Sequence, residues 1–139
     1  MKAIEIHPDN MLSAIAAIPE NVPVLMLNLL RYKEHATYED EKDMPPCSGR
    51  EAYLQRYVPA FIKLAADSGF KPFFTGDALA SLVAPADEIW DNVALIEYPS
   101  FEAFRAIVES DVYKSELLPH RLAALEDWRL IVTAKTEFS

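Results

Sequence analysis

Apolar residues recur along this chain in two rhythms, and each predicts a different kind of element. From Val22 to Tyr32 they run almost without a break: Val24-Leu25-Met26-Leu27, then Leu29-Leu30, with Asn28 between them. A strand with one face in water alternates apolar and polar residues; this one does not, which predicts a strand buried on both faces. Trp90 to Tyr98 reads the same way, with Val93 and Leu95 on one parity and Ala94 and Ile96 on the other, and Pro99 ends it. Pro72 to Ala84 predicts a further strand, with a bulge or bend at Gly76-Asp77, because glycine in mid-strand packs nothing. Ala86-Asp87-Glu88 then turns the chain. Trp128 to Thr136 predicts the last strand.

Elsewhere the apolar spacing is helical. Met11, Leu12, Ile15 and Ile18 predict a helix over Asp9 to Ile18, capped by Asp9 or Asn10 and stopped by Pro19. Ser48-Gly49-Arg50-Glu51 is a capping box, in which the serine and glutamate side chains each satisfy a backbone N–H. It predicts a helix to about Ser68, with Gly69 as its stop. The apolar side of that helix is Tyr53 or Leu54, Tyr57, Phe61, Leu64 and Ala65. Pro59 lies inside it and predicts a kink near Gln55 to Val58. Ser100 caps a third helix with the stripe Phe101, Phe104, Ile107 and Val108. A break at Ser110-Asp111 leads to a shorter helical piece over Leu117 to Leu125, with Pro119 in its first turn. Lys33 to Cys47 is acidic, ends in Pro45-Pro46 and offers few apolar anchors, which predicts a long functional or mobile loop.

The resulting order is an N-terminal helix followed by β, α, β, β, α, β in one α+β domain spanning residues 1–139. Two helices cover one face of a four-stranded sheet. At least two of the four strands are apolar on both faces, and no segment is left to cover the second one. A second copy of the sheet is the economical cover, so a homodimer is expected.

Charge narrows the partners. Thirteen basic and 22 acidic residues give a net charge of −9. Such a surface repels phosphate backbones and anionic lipid, and no Lys/Arg stripe overrides it, so neither nucleic acid nor membrane is expected as a partner. Cys47 is alone and has no internal disulfide partner, which fits a reducing compartment. The first seven residues lack the apolar stretch of a signal peptide, and no apolar run reaches the ~18 residues of a spanning helix. A cytoplasmic protein is expected. With three glycines and no glycine-rich phosphate loop, and with His7, His35 and His120 in no metal-ligand spacing, neither cofactor nor metal is expected.

Six residues are candidates for chemistry. Asn28 interrupts an apolar strand, where an unpaired amide costs roughly 1–3 kcal/mol. It contacts a ligand or makes a structural hydrogen bond. Arg31, three residues on, points to the opposite face of a regular strand. It holds an anion or pairs with Glu51 or another carboxylate. Tyr53 and Tyr57 share a helical face at i and i+4, as ligand-facing phenols or as packing. His120 beside Arg121 is a potential base if neutral, or a plain surface pair. Cys47 has no base beside it. Glu97 and Asp127 end inner strands and act as acid or base only if desolvated. Trp90 and Trp128 supply packing area.

Four stretches carry a family resemblance: Leu27-Asn28-Leu29-Leu30-Arg31-Tyr32; Ser48-Gly49-Arg50-Glu51-Ala52-Tyr53 with Tyr57; Ile96-Glu97-Tyr98-Pro99-Ser100 with Ala103-Phe104; and Arg121 to Asp127. Ser110-Asp111-Val112-Tyr113 fits a further serine-acid-x-tyrosine stretch. In that order the chain resembles the dimeric α+β barrel superfamily, and within it a family of small bacterial domains of unknown function. The match runs from about Val22 to Thr133. The resemblance implies a ferredoxin-like fold over residues 22–136, with residues 1–21 as an N-terminal extension, and a homodimer whose sheets face each other. It implies no reaction, but gives Arg121 weight as a family position. The expected function is binding of a small apolar or aromatic molecule in a cavity between sheet and helices. A cofactor-independent monooxygenase or isomerase, and a purely structural dimer, are the alternatives.

Overall fold

The computed structural model describes residues 2–39 and 44–137. Its elements are α1 (Pro8–Ala17), β1 (Val24–Tyr32), α2 (residues 49–64), β2 (Lys71–Asp77), β3 (Asn92–Tyr98), α3 (Phe101–Val108), α4 (residues 113–124) and β4 (Leu125–Thr133). The strands form one antiparallel sheet in the order β2-β3-β1-β4. That order, with the helical connections packed on one face, is the ferredoxin-like arrangement expected from the sequence.

Several boundaries differ from the sequence reading, each for a physical reason. The cap of α1 is His7, whose Nδ1 accepts from the Asp9 N–H at 3.2 Å, with Pro8 in the first turn. β2 ends at Asp77 rather than Ala84, and Gly76 pairs regularly with Val93. The irregularity lies instead between Pro72 and Phe74. Proline cannot donate to the ladder and is tolerated there because β2 is an edge strand. Residues 78–91 therefore leave the sheet, and Leu79, Leu82 and Val83 stand 93%, 97% and 97% exposed. β4 begins at Leu125, directly after α4. The carbonyls of Ala123 and Ala124 at the junction are taken by the N–H groups of Thr37 and Lys33, at 3.0 and 2.8 Å.

Those two bonds also correct the reading of Lys33 to Cys47 as weakly held. Ala36 N–H donates to Cys47 O at 2.9 Å, and Gly49 N–H to Lys33 O at 3.0 Å. Tyr38 is gripped by His120 at 2.7 Å and by Arg56 at 3.2 Å. Cys47 is half-buried. Asp40 to Asp43 of this loop lie outside the described residues.

The kink expected at Pro59 takes a specific form. Residues Ala52–Tyr57 of α2 are wound as a π-helix, with Val58 N–H donating to the Tyr53 carbonyl five residues back. Proline has no N–H to offer the carbonyl four residues earlier, and the wider turn absorbs the mismatch just before it. The same device recurs in α4: Tyr113–Leu117 is a π-helix, Leu118 N–H donates to Tyr113 O, and Pro119 follows. α2 begins with the predicted capping box, Ser48 Oγ accepting from Glu51 N–H at 3.0 Å and Glu51 from Ser48 N–H at 2.9 Å. It stops at Leu64, before the predicted Ser68, and a turn leads to Gly69 at φ +81°.

The two faces of the sheet differ. Val24, Met26, Leu30, Tyr98 and Trp128 face the helices and are buried, with Phe101, Phe104, Ile107, Tyr113 and Leu117 against them. No element among the described residues crosses the opposite face, which carries Leu27, Leu29, Val93, Leu95 and Ile131. No described helix is long and apolar enough to cross a membrane.

Candidate functional site

The helix-covered face does not close completely. A cavity of about 470 Å³ lies between it and α2, with α3 and α4 contributing to the walls. Asn28 and Leu30 of β1, Ala94 of β3 and Trp128 of β4 form its floor. Tyr53, Tyr57 and Phe61 of α2 form its roof. Spacing of four residues puts these three rings on one helix face. Tyr53 and Tyr57 stack at 4.8 Å and 21°, and Tyr57 and Phe61 at 6.0 Å and 28°. Phe70, Tyr98 and Phe104 continue the aromatic wall through edge and tilted contacts. The partly exposed Leu54 and Ile62, with Pro72 and Thr75 of the edge strand, form the rim.

Asn28 reaches the cavity but its amide is used. Its Oδ1 accepts from Trp128 Nε1 at 3.0 Å, and its Nδ2 donates to the carbonyls of Met26 and Ala94 at 3.3 and 3.4 Å. The break in the apolar run is thus a structural hydrogen bond that also fixes the Trp128 ring in the floor. Trp128, read from the sequence as packing, is part of the site; its link to Asn28 spans 100 residues and leaves no local signal.

Tyr57 and Tyr113 share a hydrogen bond of 2.7 Å between their hydroxyls, and Arg121 Nη1 donates to Tyr113 Oη at 2.7 Å. Arg121 is 4% exposed, and its guanidinium lies 4.7 Å from the Trp128 ring centroid and 5.8 Å from that of Tyr113. Its Nε has no hydrogen-bond partner. Among the described residues no carboxylate lies within ion-pair distance of it. Tyr53 and Tyr98 have hydroxyls with no hydrogen-bond partner among the described residues, and both line the cavity. Burial pushes the phenols of Tyr53, Tyr57 and Tyr98 well up, so they stay protonated donors at neutral pH. At the rim, Tyr32 donates to Asn92 Oδ1 at 2.6 Å, and burial raises its pKa to about 12. Arg50 pairs with Asp77 at 3.3 Å, and Asn92 donates to the same carboxylate at 2.8 Å.

The structure brings together Asn28, Tyr53, Tyr57 and, behind the wall, Arg121. It leaves Arg31 and His120 outside. Arg31 lies on the opposite parity of β1, level with the bulge beside Asp127. Glu51 is committed to its capping box, and Glu126 is a carboxylate whose pKa Arg31 helps lower, after the larger effect of Lys2. His120 faces Tyr38; burial, then the Arg56 charge, lowers its pKa. Burial pushes Asp127 up, but hydrogen bonds from Ala3 N–H and Arg129 outweigh it and leave that carboxyl lowered. Tyr98 and Tyr113 are the site residues that the sequence reading did not single out.

Fold and site together define a small α+β domain with an aromatic-walled interior cavity. Two solved structures of one protein, RPA0582 of Rhodopseudomonas palustris, have this fold. The crystal structure of methylated RPA0582 matches at 33% identity and a TM-score of 0.87, over 98% of this chain and 96% of the other. A second, described as a protein of unknown function, matches at 34% and 0.80 over 99% of both. The chain therefore belongs to the same family as RPA0582. No family model and no curated protein matches it.

Proposed function

We propose that this protein binds a small apolar or aromatic molecule in the cavity between sheet and helices. The observation that carries the reading is the cavity itself: about 470 Å³, walled by aromatic rings, with the hydroxyls of Tyr53 and Tyr98, which have no partner among the described residues, at its surface. Ligand sites are commonly apolar hollows of ~300–1,000 Å³ with a few fixed polar groups. The test is a thermal-shift screen of aromatic acids, alcohols and lactones. Stabilisation of several degrees by at least one class is expected; no shift from any would end the reading.

The protein acts as a homodimer of the α+β barrel type. Two features support this: the uncovered apolar face of the sheet, and the exposed Leu79, Leu82 and Val83 of the β2–β3 arm, apolar side chains that a partner would take out of water. Light scattering should return twice the chain mass of 15.7 kDa.

Binding is better supported than catalysis by a monooxygenase- or isomerase-type enzyme. The deep wall offers protonated phenols, which donate but do not take up a proton at neutral pH. His120 lies elsewhere, and Asp77 at the rim is held by Arg50 and Asn92.

A further inference from the structure

Among the described residues, Arg121 is a cation with no counter-ion, at the back of an apolar cavity. A buried guanidinium is ordinarily paired, because removing it from water without compensation costs several kcal/mol. Here the described residues give it two aromatic faces and one phenol oxygen, and leave Nε empty. Its positive field therefore passes through Tyr113 and Trp128, which are themselves cavity wall.

Counting phenol protons points the same way. Tyr57 and Tyr113 hold two hydroxyl protons, and their mutual bond uses one. Arg121 occupies a lone pair of Tyr113 and supplies its own proton. One proton of the pair is thus left without an acceptor among the described residues. Tyr53 and Tyr98 bring the number of unused phenol protons to three, all at one cavity surface. Three donors with no acceptor, backed by an uncompensated cation, are the complement of a single negatively charged acceptor group. The two π turns hold this arrangement in place: one carries Tyr53 and Tyr57, the other begins at Tyr113, and Arg121 lies two turns further along α4.

We propose that the ligand is an apolar monoanion, such as an aromatic carboxylate, whose charged group sits against Tyr53, Tyr57, Tyr98 and Tyr113 in front of Arg121, while its ring lies between the Trp128 floor and the Phe61 side of the roof. This inference rests on the cavity being a binding site and adds the charge of the occupant.

The test compares 2-naphthoate with its neutral isostere 2-naphthamide by isothermal titration calorimetry. The carboxylate should bind on the order of tenfold more tightly, because hydrogen bonds to a charged acceptor are roughly twice as strong as neutral ones. Arg121→Gln should bring the two affinities together. Tyr53→Phe and Tyr98→Phe keep ring packing and so keep the test open if Arg121→Gln fails to fold. Each should weaken 2-naphthoate several-fold while moving 2-naphthamide less. Equal binding of the two compounds by the unaltered protein, or a preference that survives both phenylalanine variants, overturns the charge inference and leaves the binding reading intact. Failure of both compounds to bind overturns both.

Discussion

The two faces of this sheet are built from similar residues and end in different states. Met26, Asn28 and Leu30 alternate along β1 with Leu25, Leu27 and Leu29, so each face receives mainly aliphatic side chains from the same nine residues. One face is covered by α2, α3 and α4, and the cover is imperfect: stacked tyrosines hold the helices off the strands and leave a cavity. The other face is bare in the single chain. Apolarity alone therefore says that a surface wants a cover, not what the cover is. The polar residues decide that. The helix-covered face carries Asn28, bonded to Trp128, and a set of phenols backed by Arg121; the bare face keeps its polar residues towards its ends, Arg129 level with Leu29 and Glu97 and Thr133 level with Leu25, around the apolar Leu27, Leu95 and Ile131.

The comparison breaks most completely where the helical cover is attached. Gly49 starts α2 where the end of β1 and the end of α4 meet. A Cβ there would collide with Lys33 O, and would lie 2.5 Å from Ala124 O and 2.7 Å from Lys33 N, all backbone. Overpacking against backbone cannot be relieved by a rotamer change. Gly49→Ala should cost ~3 kcal/mol or more and leave little folded protein in urea titrations. Next in size is a charge on the bare face. Leu27→Asp should weaken self-association at least ~100-fold, close to 3 kcal/mol, with the far-ultraviolet dichroism unchanged. Light scattering would then report a monomer, and a monomer mass already in the unaltered protein would sink the dimer.

A smaller effect separates the polar side of the cavity from its apolar walls. Tyr113→Phe removes the acceptor of Arg121 and the partner of Tyr57 together. It should cost about 1–3 kcal/mol, more than Tyr57→Phe, which spares the Arg121 bond. Equal losses in the two variants would contradict the network. The smallest effect concerns His120, outside the cavity. Its folded pKa is lowered, so near pH 6 the unfolded chain binds the proton that the folded chain refuses. Stability should be level above the unfolded value of about 6.5 and fall as pH drops below it. His120→Asn should flatten that slope in urea midpoints measured between pH 5.5 and 7.5.

Much of the fold was legible because it rests on local pattern. The capping box, the apolar strands and the helical stripe of Phe101, Phe104 and Ile107 are each patterns visible over ten residues or fewer. What the pattern misplaced was set at a distance. β4 starts three residues early because Thr37 and Lys33 engage the carbonyls just before it. The proline in α2 announced a kink, but neither proline announced a π turn. The site divided in the same way. Asn28 was visible as a polar interruption and Tyr53 with Tyr57 as a helical pair. The partners that give them meaning, Trp128, Tyr113 and Tyr98, come from elements far along the chain and look like ordinary core residues. His120 and Arg31 had suggestive chemistry but face away from the cavity.

The central claim is that the incomplete cover is a binding chamber rather than a defect, and filling it distinguishes the two. Ala94 lies in the floor beside Asn28, and Ala94→Phe places a ring in the cavity. The neutral fluorescent probe N-phenyl-1-naphthylamine should bind the unaltered protein saturably at one site per chain. It should lose that site in Ala94→Phe while the melting temperature is held or rises. No saturable binding, or binding that the filled variant keeps, would contradict the account.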